Sequence, residues 1–162
     1  MPRTRTRTRT RTRTRALDEL DYKVLLRLQT NGRESNAEIA RNLAVSEGTI
    51  RRRIKRLIDD DVIRVTAVPN PWKVGFEAVA LIGLQVELDK IDQIAERLAS
   101  MKEVHFVALT TGSYDIFIWV MVPSAEDLSN FIKTKLASTV GVTRSETFIN
   151  LEIKKRTFGW LS

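Results

Sequence analysis

The apolar residues of this chain keep two different periods, and the change falls at the Pro69-Asn70-Pro71 break. Upstream, Leu17, Leu20, Val24, Leu25 and Leu28 recur at the three- and four-residue spacing of a helix face. Downstream, Ala80, Ile82, Leu84, Val86 and Leu88 alternate as one face of a strand does. Two prolines around one asparagine stop either pattern, so they are read as the boundary between two modules. The 162 residues suffice for two small ones.

The first module reads as three helices. Asp18 with Asp21 is expected to cap the first, and Asn31-Gly32 to stop it. Ser35 and Glu38 form a capping box for a second helix of about two turns, which buries Ile39, Ala40 and Leu43. Ser46 caps the third, with Val45 placed to staple onto Ile50; the run VIRVTAV that follows reads as a strand. Asp59, Asp60 and Asp61 are expected in the turn, because acidic side chains disfavour the negative end of a helix.

The second module reads EAVALIGLQVEL as a strand and DKIDQIAERLASM as a helix with Ile91, Ile94, Ala95, Leu98 and Met101 inward. VHFVALTT and DIFIWVMV follow as a hairpin. SAEDLSNFIKTKLAST is a helix with a capping box at Ser124 and Asp127, burying Leu128, Phe131, Ile132 and Leu136. TRSETFINLEIKK closes as a strand. The order β-α-β-β-α-β is the split arrangement of ferredoxin-like domains, with both helices on one face. The other face is expected to show Val79, Leu81, Val107 and Leu109, an apolar surface that asks for a second copy.

Charge sits in two places. The opening run MPRTRTRTRTRTRTR holds seven arginines; removing them from the 27 basic residues leaves 20, against 20 acidic ones. The formal charge of +7 is thus the tail's, and the body is neutral. Strict Arg-Thr alternation buries nothing and repels itself, so the tail is expected to be disordered, either as a bland extension or as an arm adding phosphate contacts. The absence of cysteine excludes disulfides, thiolate catalysis and cysteine zinc sites. IFIWVMV is far short of the roughly 20 apolar residues of a membrane span, and no apolar segment follows the basic start as in a secretory signal. A cytoplasmic protein with no metal and no cofactor is the expectation.

The body's basic residues concentrate in one segment. Arg51, Arg52, Arg53, Lys55 and Arg56 fall within six positions, interleaved with Ile50, Ile54, Leu57 and Ile58. At about 100° per residue the four apolar residues share one sector, while Gly48, Thr49, Arg52, Lys55 and Arg56 lie opposite and Arg51 and Arg53 flank the boundary. A short helix, a three-residue turn and this helix occupy residues 36 to 55, the layout in which a second helix enters the DNA major groove. A helical dimerisation or docking face fits the same pattern, and a solvated surface charge fits each arginine singly.

Both modules together resemble transcription regulators of the Lrp/AsnC (feast/famine) family, from Leu17 to about Arg156. The resemblance rests on LDELDYKVLLRLQTNGR, SNAEIARNLAVS, RRIKRL with VIR, the NP of PNPWKVGF, TTGSYDIFIWV and RSETFINLEIKK. It implies an α+β chain: an N-terminal winged helix-turn-helix DNA-binding domain (17–64) after a basic tail (1–16), a linker strand and hinge (65–76), then a ferredoxin-like βαββαβ ligand-sensing and oligomerisation domain (77–162). It implies double-stranded DNA and an amino acid or related metabolite as partners, and a homodimer assembling to an octamer. Two positions depart from the family pattern: Ala44 and Asp61 stand where glycine is usual.

The residues the resemblance points to on DNA are Ser35, Asn36, Ser46, Thr49, Arg52, Arg53 and Arg56. Thr49 and Arg52 are the base-edge candidates, Arg53 and Arg56 the phosphate ones. For the effector they are Gly112, Ser113, Tyr114 and Asp115, with Thr147 and Ile149 of the last strand; turn chemistry alone also explains Gly-Ser-Tyr-Asp. An enzyme is not expected, since the lone His105 has no cysteine or carboxylate cluster beside it in the sequence. The alternative is a nucleoid-type architectural protein that binds DNA with little sequence preference and no effector.

Overall fold

The computed structural model describes residues 16–155; the Arg-Thr tail and the last seven residues lie outside them. The described chain divides between Ala67 and Val68 into two compact units.

In the first unit, helix α1 (Glu19–Thr30) begins at Asp18, whose carboxylate accepts the Asp21 N–H while Asp21 returns the bond to the Asp18 N–H. Helix α2 (Asn36–Asn42) has the same reciprocal cap from Ser35 and Glu38, and helix α3 (Glu47–Asp59) is capped by Ser46. These satisfy N–H groups that have no partner within their own helix. Val24, Leu25, Ile39, Ala40, Ile50 and Leu57 form the core, with Leu17, Leu20, Leu28, Leu43, Val45 and Ile54 packed against it.

Three expectations for this unit need correction. Ile58, placed in the apolar sector, is 45% exposed. Asp59 is the last residue of α3 rather than part of the turn, held there by an ion pair with Lys55 one turn back (2.7 Å). VIRVTAV forms no strand: it joins no ladder of the described sheet, and Val65 and Val68 are exposed. An extended sequence without a neighbour to bond remains coil.

The Pro-Asn-Pro break becomes a capped 3-10 turn. Asn70 accepts the Trp72 N–H over Pro71–Val74, and Gly75 closes the turn at φ 88°.

The second unit is an antiparallel sheet of β1 (Ala78–Val86), β2 (Val104–Leu109), β3 (Ile116–Val122) and β4 (Val142–Ile149), in the order β2-β3-β1-β4. Helix α4 (Ile91–Ala99) links β1 to β2, and helix α5 (Ala125–Asn130) runs into a π-helical turn, Phe131–Leu136, before β4. Ile94 and Leu98 of α4 share one core with Leu128, Phe131, Leu136 and the inward residues Ala80, Ile82, Leu84, Ile116, Ile118 and Val120. Both helices therefore cover the same face, as the βαββαβ order requires.

The open face is not quite the one expected. Val79 and Leu81 lie on it, opposite Met121 and Trp119. Val107 and Leu109 do not: they pair with the core residues Ile118 and Ile116. The pairing slips between Val104 and Phe106, leaving His105 as a bulge, and a slip of one residue exchanges the faces of a strand. Phe106 and Ala108 take the open side instead, opposite Trp119 and Phe117. Leu88, expected to continue β1, is 75% exposed in a 3-10 turn, and β4 stops at Ile149, leaving Leu151 99% exposed.

Candidate nucleic-acid interface and sensing loop

The N-terminal end of α3 is built by its cap. Ser46 Oγ accepts the Thr49 N–H at 3.2 Å and bonds the Thr49 hydroxyl at 2.8 Å. The Ser35 hydroxyl is likewise shared, accepting the Glu38 N–H and donating to the Glu38 carboxylate at 2.7 Å. Asn36, the first residue of α2, is half-buried.

The five cations of α3 fall into three groups. Arg52 is exposed and bonds to no described residue. Arg51 and Lys55 are exposed and tied only to their own helix, at Glu47 (3.1 Å) and Asp59 (2.7 Å). Such pairs on a solvated helix are worth about 0.3–0.5 kcal/mol and yield readily to a phosphate. Arg53 and Arg56 turn inward. Arg53 Nη1 donates to Asp21 Oδ1 at 2.9 Å and to the Asp18 carboxylate; Arg56 Nη2 donates to Asp21 Oδ2. Their side chains are 24% and 29% exposed, and Asp21 has no exposed surface. The phosphate role expected of Arg53 and Arg56 thus meets a carboxylate that already occupies both guanidiniums.

Electrostatics follow the geometry. The Arg53 guanidinium and the Asp21 N–H hold the Asp18 carboxyl down at about 2. Burial pushes Asp21 upward, but hydrogen bonds from Arg53, the Asp18 N–H and Arg56 outweigh it, and its pKa lies below the ordinary value.

Ala44 and Asp61, at the two turns bounding α3, have φ of 54° and 55°. Among described residues they are the only non-glycines in the left-handed region. They are the two positions at which the resemblance led glycine to be expected.

In the second unit the Gly112–Asp115 loop joins β2 to β3, with Gly112 at φ 116° and Ser113 exposed. Tyr114 lies over Gly83 of β1, where an added Cβ would come within 2.7 Å of its ring. The ring meets Phe117 and Phe148 edge-on, at centroid distances of 5.4 and 6.3 Å, and its hydroxyl donates to the Glu146 carboxylate. That hydrogen bond, with partial burial and the Glu146 charge, raises the phenol pKa. Asp115, expected to receive an ammonium, has one carboxylate oxygen committed to the Val86 N–H at 2.9 Å. The β1–β3 ladder ends at Leu84 opposite Ile116, which leaves that N–H to the carboxylate. Gln85 Nε2 donates to the Ser113 carbonyl at 2.9 Å.

Thr147 and Ile149 are not brought to this loop. They pair with Ile82 and Ala80, core residues on the helix-covered face, while Glu146 and Phe148 lie on the open face beside Tyr114. Gly83, Gln85 and Glu146 are the loop partners that sequence reasoning missed; the parity of β4 against β1 would have found Glu146. His105, at its bulge, is exposed and edge-on to Phe76 at 6.2 Å. Among the described residues no three acidic or histidine groups are placed to hold a metal ion, and no helix is long and apolar enough to cross a membrane.

Residues 17–58 match the AsnC-type helix-turn-helix domain and residues 79–160 the Lrp/AsnC ligand binding domain. The chain belongs to the Lrp/AsnC family of transcription regulators. An HTH-type transcriptional regulator of Pyrococcus furiosus is 43% identical over 140 residues, covering 86% of this chain and 95% of the relative. The structure of Escherichia coli AsnC aligns at 28% identity with a TM-score of 0.80, over 88% of this chain and 97% of that one. A Neisseria meningitidis transcriptional regulator solved as its L-Met complex aligns at 27% identity with a TM-score of 0.81, over 88% and 95%. As a Lrp/AsnC-type regulator this chain binds DNA through its helix-turn-helix, carries a small-ligand-binding domain, and is not an enzyme.

Proposed function

We propose that this regulator reads a specific DNA sequence as a symmetric pair and that an amino acid, held at the Gly112–Asp115 loop, adjusts the reading. On this view residues 17–64 read DNA, 65–76 connect, and 77–162 sense and assemble. The carrying observation is Arg52: it is the exposed cation of α3 that no described carboxylate claims, one turn beyond the cap at Ser46 and Thr49. Arg52 and Thr49 reach base edges, with Arg51 and Lys55 on phosphates and the small groups of Ser35, Asn36 and Ser46 lining the approach.

Pairing is supported by the open sheet face, where Leu81, Phe117, Trp119 and Met121 are half-buried and Phe106 and Phe148 remain 52% and 41% exposed. A homodimer covers that face, and the resemblance adds assembly of dimers to octamers in the cytoplasm. The L-Met complex of the Neisseria relative supports an amino-acid effector. Gly112, Ser113, Tyr114 and Asp115 supply the site, with Gln85 and Glu146 in place of Thr147 and Ile149. Two clefts of this unit, about 450 and 550 Å³, lie instead around Lys102 and Lys135.

The test is selection of duplexes from a random-sequence pool, followed by thermal-shift screening with the common amino acids. A recovered consensus whose binding Arg52→Gln weakens by about 1–3 kcal/mol supports the reading. Equal affinity for every duplex would instead favour the architectural alternative, to which the seven arginines of the tail lend charge. No thermal shift with any amino acid would remove the effector.

A further inference from the structure

We infer that Asp21 is a positioning residue for DNA reading, and that Arg53 and Arg56 serve as its arms rather than as phosphate contacts; the inference rests on the DNA reading above. Asp21 accepts from three donors: Arg53 at 2.9 Å, Arg56, and the Asp18 N–H at 3.1 Å. It lies in the first turn of α1, whereas the two arginines lie a turn apart on α3. One carboxylate with no exposed surface therefore grips α3 at two points along its axis. Apolar contacts in the core leave a helix free to roll by small amounts; two directed bonds to one planar group fix its rotation. The rotation so fixed leaves Arg52, with Arg51 and Lys55, exposed to solvent. Asp18 completes the grip through a second bond to Arg53 and is itself fixed by the Asp21 N–H. Taken from Asp21, either arginine would leave a buried anion short of a partner, so releasing it to a phosphate is opposed.

Two measurements decide this. The first needs no DNA: amide hydrogen exchange across α3 in Asp21→Asn. Faster exchange at residues 47–59, with α4 unchanged, is the expected result; wild-type protection throughout α3 would overturn the inference. The second uses the duplex recovered by the wild-type chain, titrated across a salt series. Arg51→Gln and Lys55→Gln set the scale: each is expected to lower the slope of log affinity against log salt by about 0.9, the value for one phosphate. Arg53→Lys and Arg56→Lys keep the charge but give up the planar fork, so they remain folded more readily than Asp21→Asn. They are expected to bind roughly tenfold more weakly with the wild-type slope. Wild-type affinity in both lysine variants, or a slope reduced in Arg53→Gln or Arg56→Gln, would put these arginines on phosphates and overturn the inference. A wild-type chain that binds no duplex defeats the DNA reading, and the exchange measurement still judges the grip.

Discussion

Asp21 illustrates what a sequence conceals at the scale of one residue. A helical wheel places Arg56 on a free basic face because it registers only the helix that carries it. The partner is 35 residues away, at the start of α1, and its second role lies behind a capping role that explains it fully. The network has a pH signature. Asp18 and Asp21 both have depressed pKa values, so their contribution is present above the unfolded value of about 3.8 and is lost as pH falls through the folded one, about 2 for Asp18. The first unit is therefore expected to lose stability between roughly pH 4 and 2, and Asp18→Asn to flatten that loss, as followed by circular dichroism of melts. Backbone strain makes a second case. Ala44 at φ 54° bears a left-handed penalty of about 1–2 kcal/mol, partly offset by the extra unfolded-state freedom of glycine. Ala44→Gly is expected to stabilise the chain by about 0.5–1 kcal/mol in urea titrations.

Elements are legible where periodicity and caps agree. All five helices and all four strands of the described residues can be read from the sequence, because each helix carries its apolar stripe and four of them a capping side chain at the start. Faces are less legible. Alternation along VHFVAL assigns Val107 and Leu109 to the open side, and a single extra residue at His105 reverses both. Nothing local announces such a bulge, since it is defined by a ladder with β3. The same blindness to register selects Thr147 and Ile149 over Glu146. The core itself is plain in the sequence, and its weight can be measured on α3: Leu57 is fully buried, so Leu57→Ala is expected to destabilise the first unit by about 2–5 kcal/mol. Equilibrium denaturation with a probe in that unit checks it. An unchanged midpoint would mean that α3 is held chiefly by its ion pairs.

At the scale of the whole molecule, the division at Ala67 separates a unit whose third helix is tied to its first by ion pairs from one whose open sheet face is apolar. Leu81→Glu places a charge in the middle of the open sheet, opposite Trp119 and Phe148, without touching the helix-covered core. It is expected to give a folded monomer by sedimentation velocity, and an assembly of unchanged size would dismiss that face as the pairing surface. Tyr114 belongs to both regions: it is a loop residue, yet its ring rests on Gly83 in the sheet face and its hydroxyl reaches Glu146. On the proposed reading, in which the loop holds the ligand and the open face pairs two copies, occupancy and pairing become thermodynamically reciprocal, each altering the free energy of the other by the same amount. A metabolite titration repeated at rising protein concentration should yield a drifting apparent dissociation constant, so the regulator would gauge its own abundance together with its ligand.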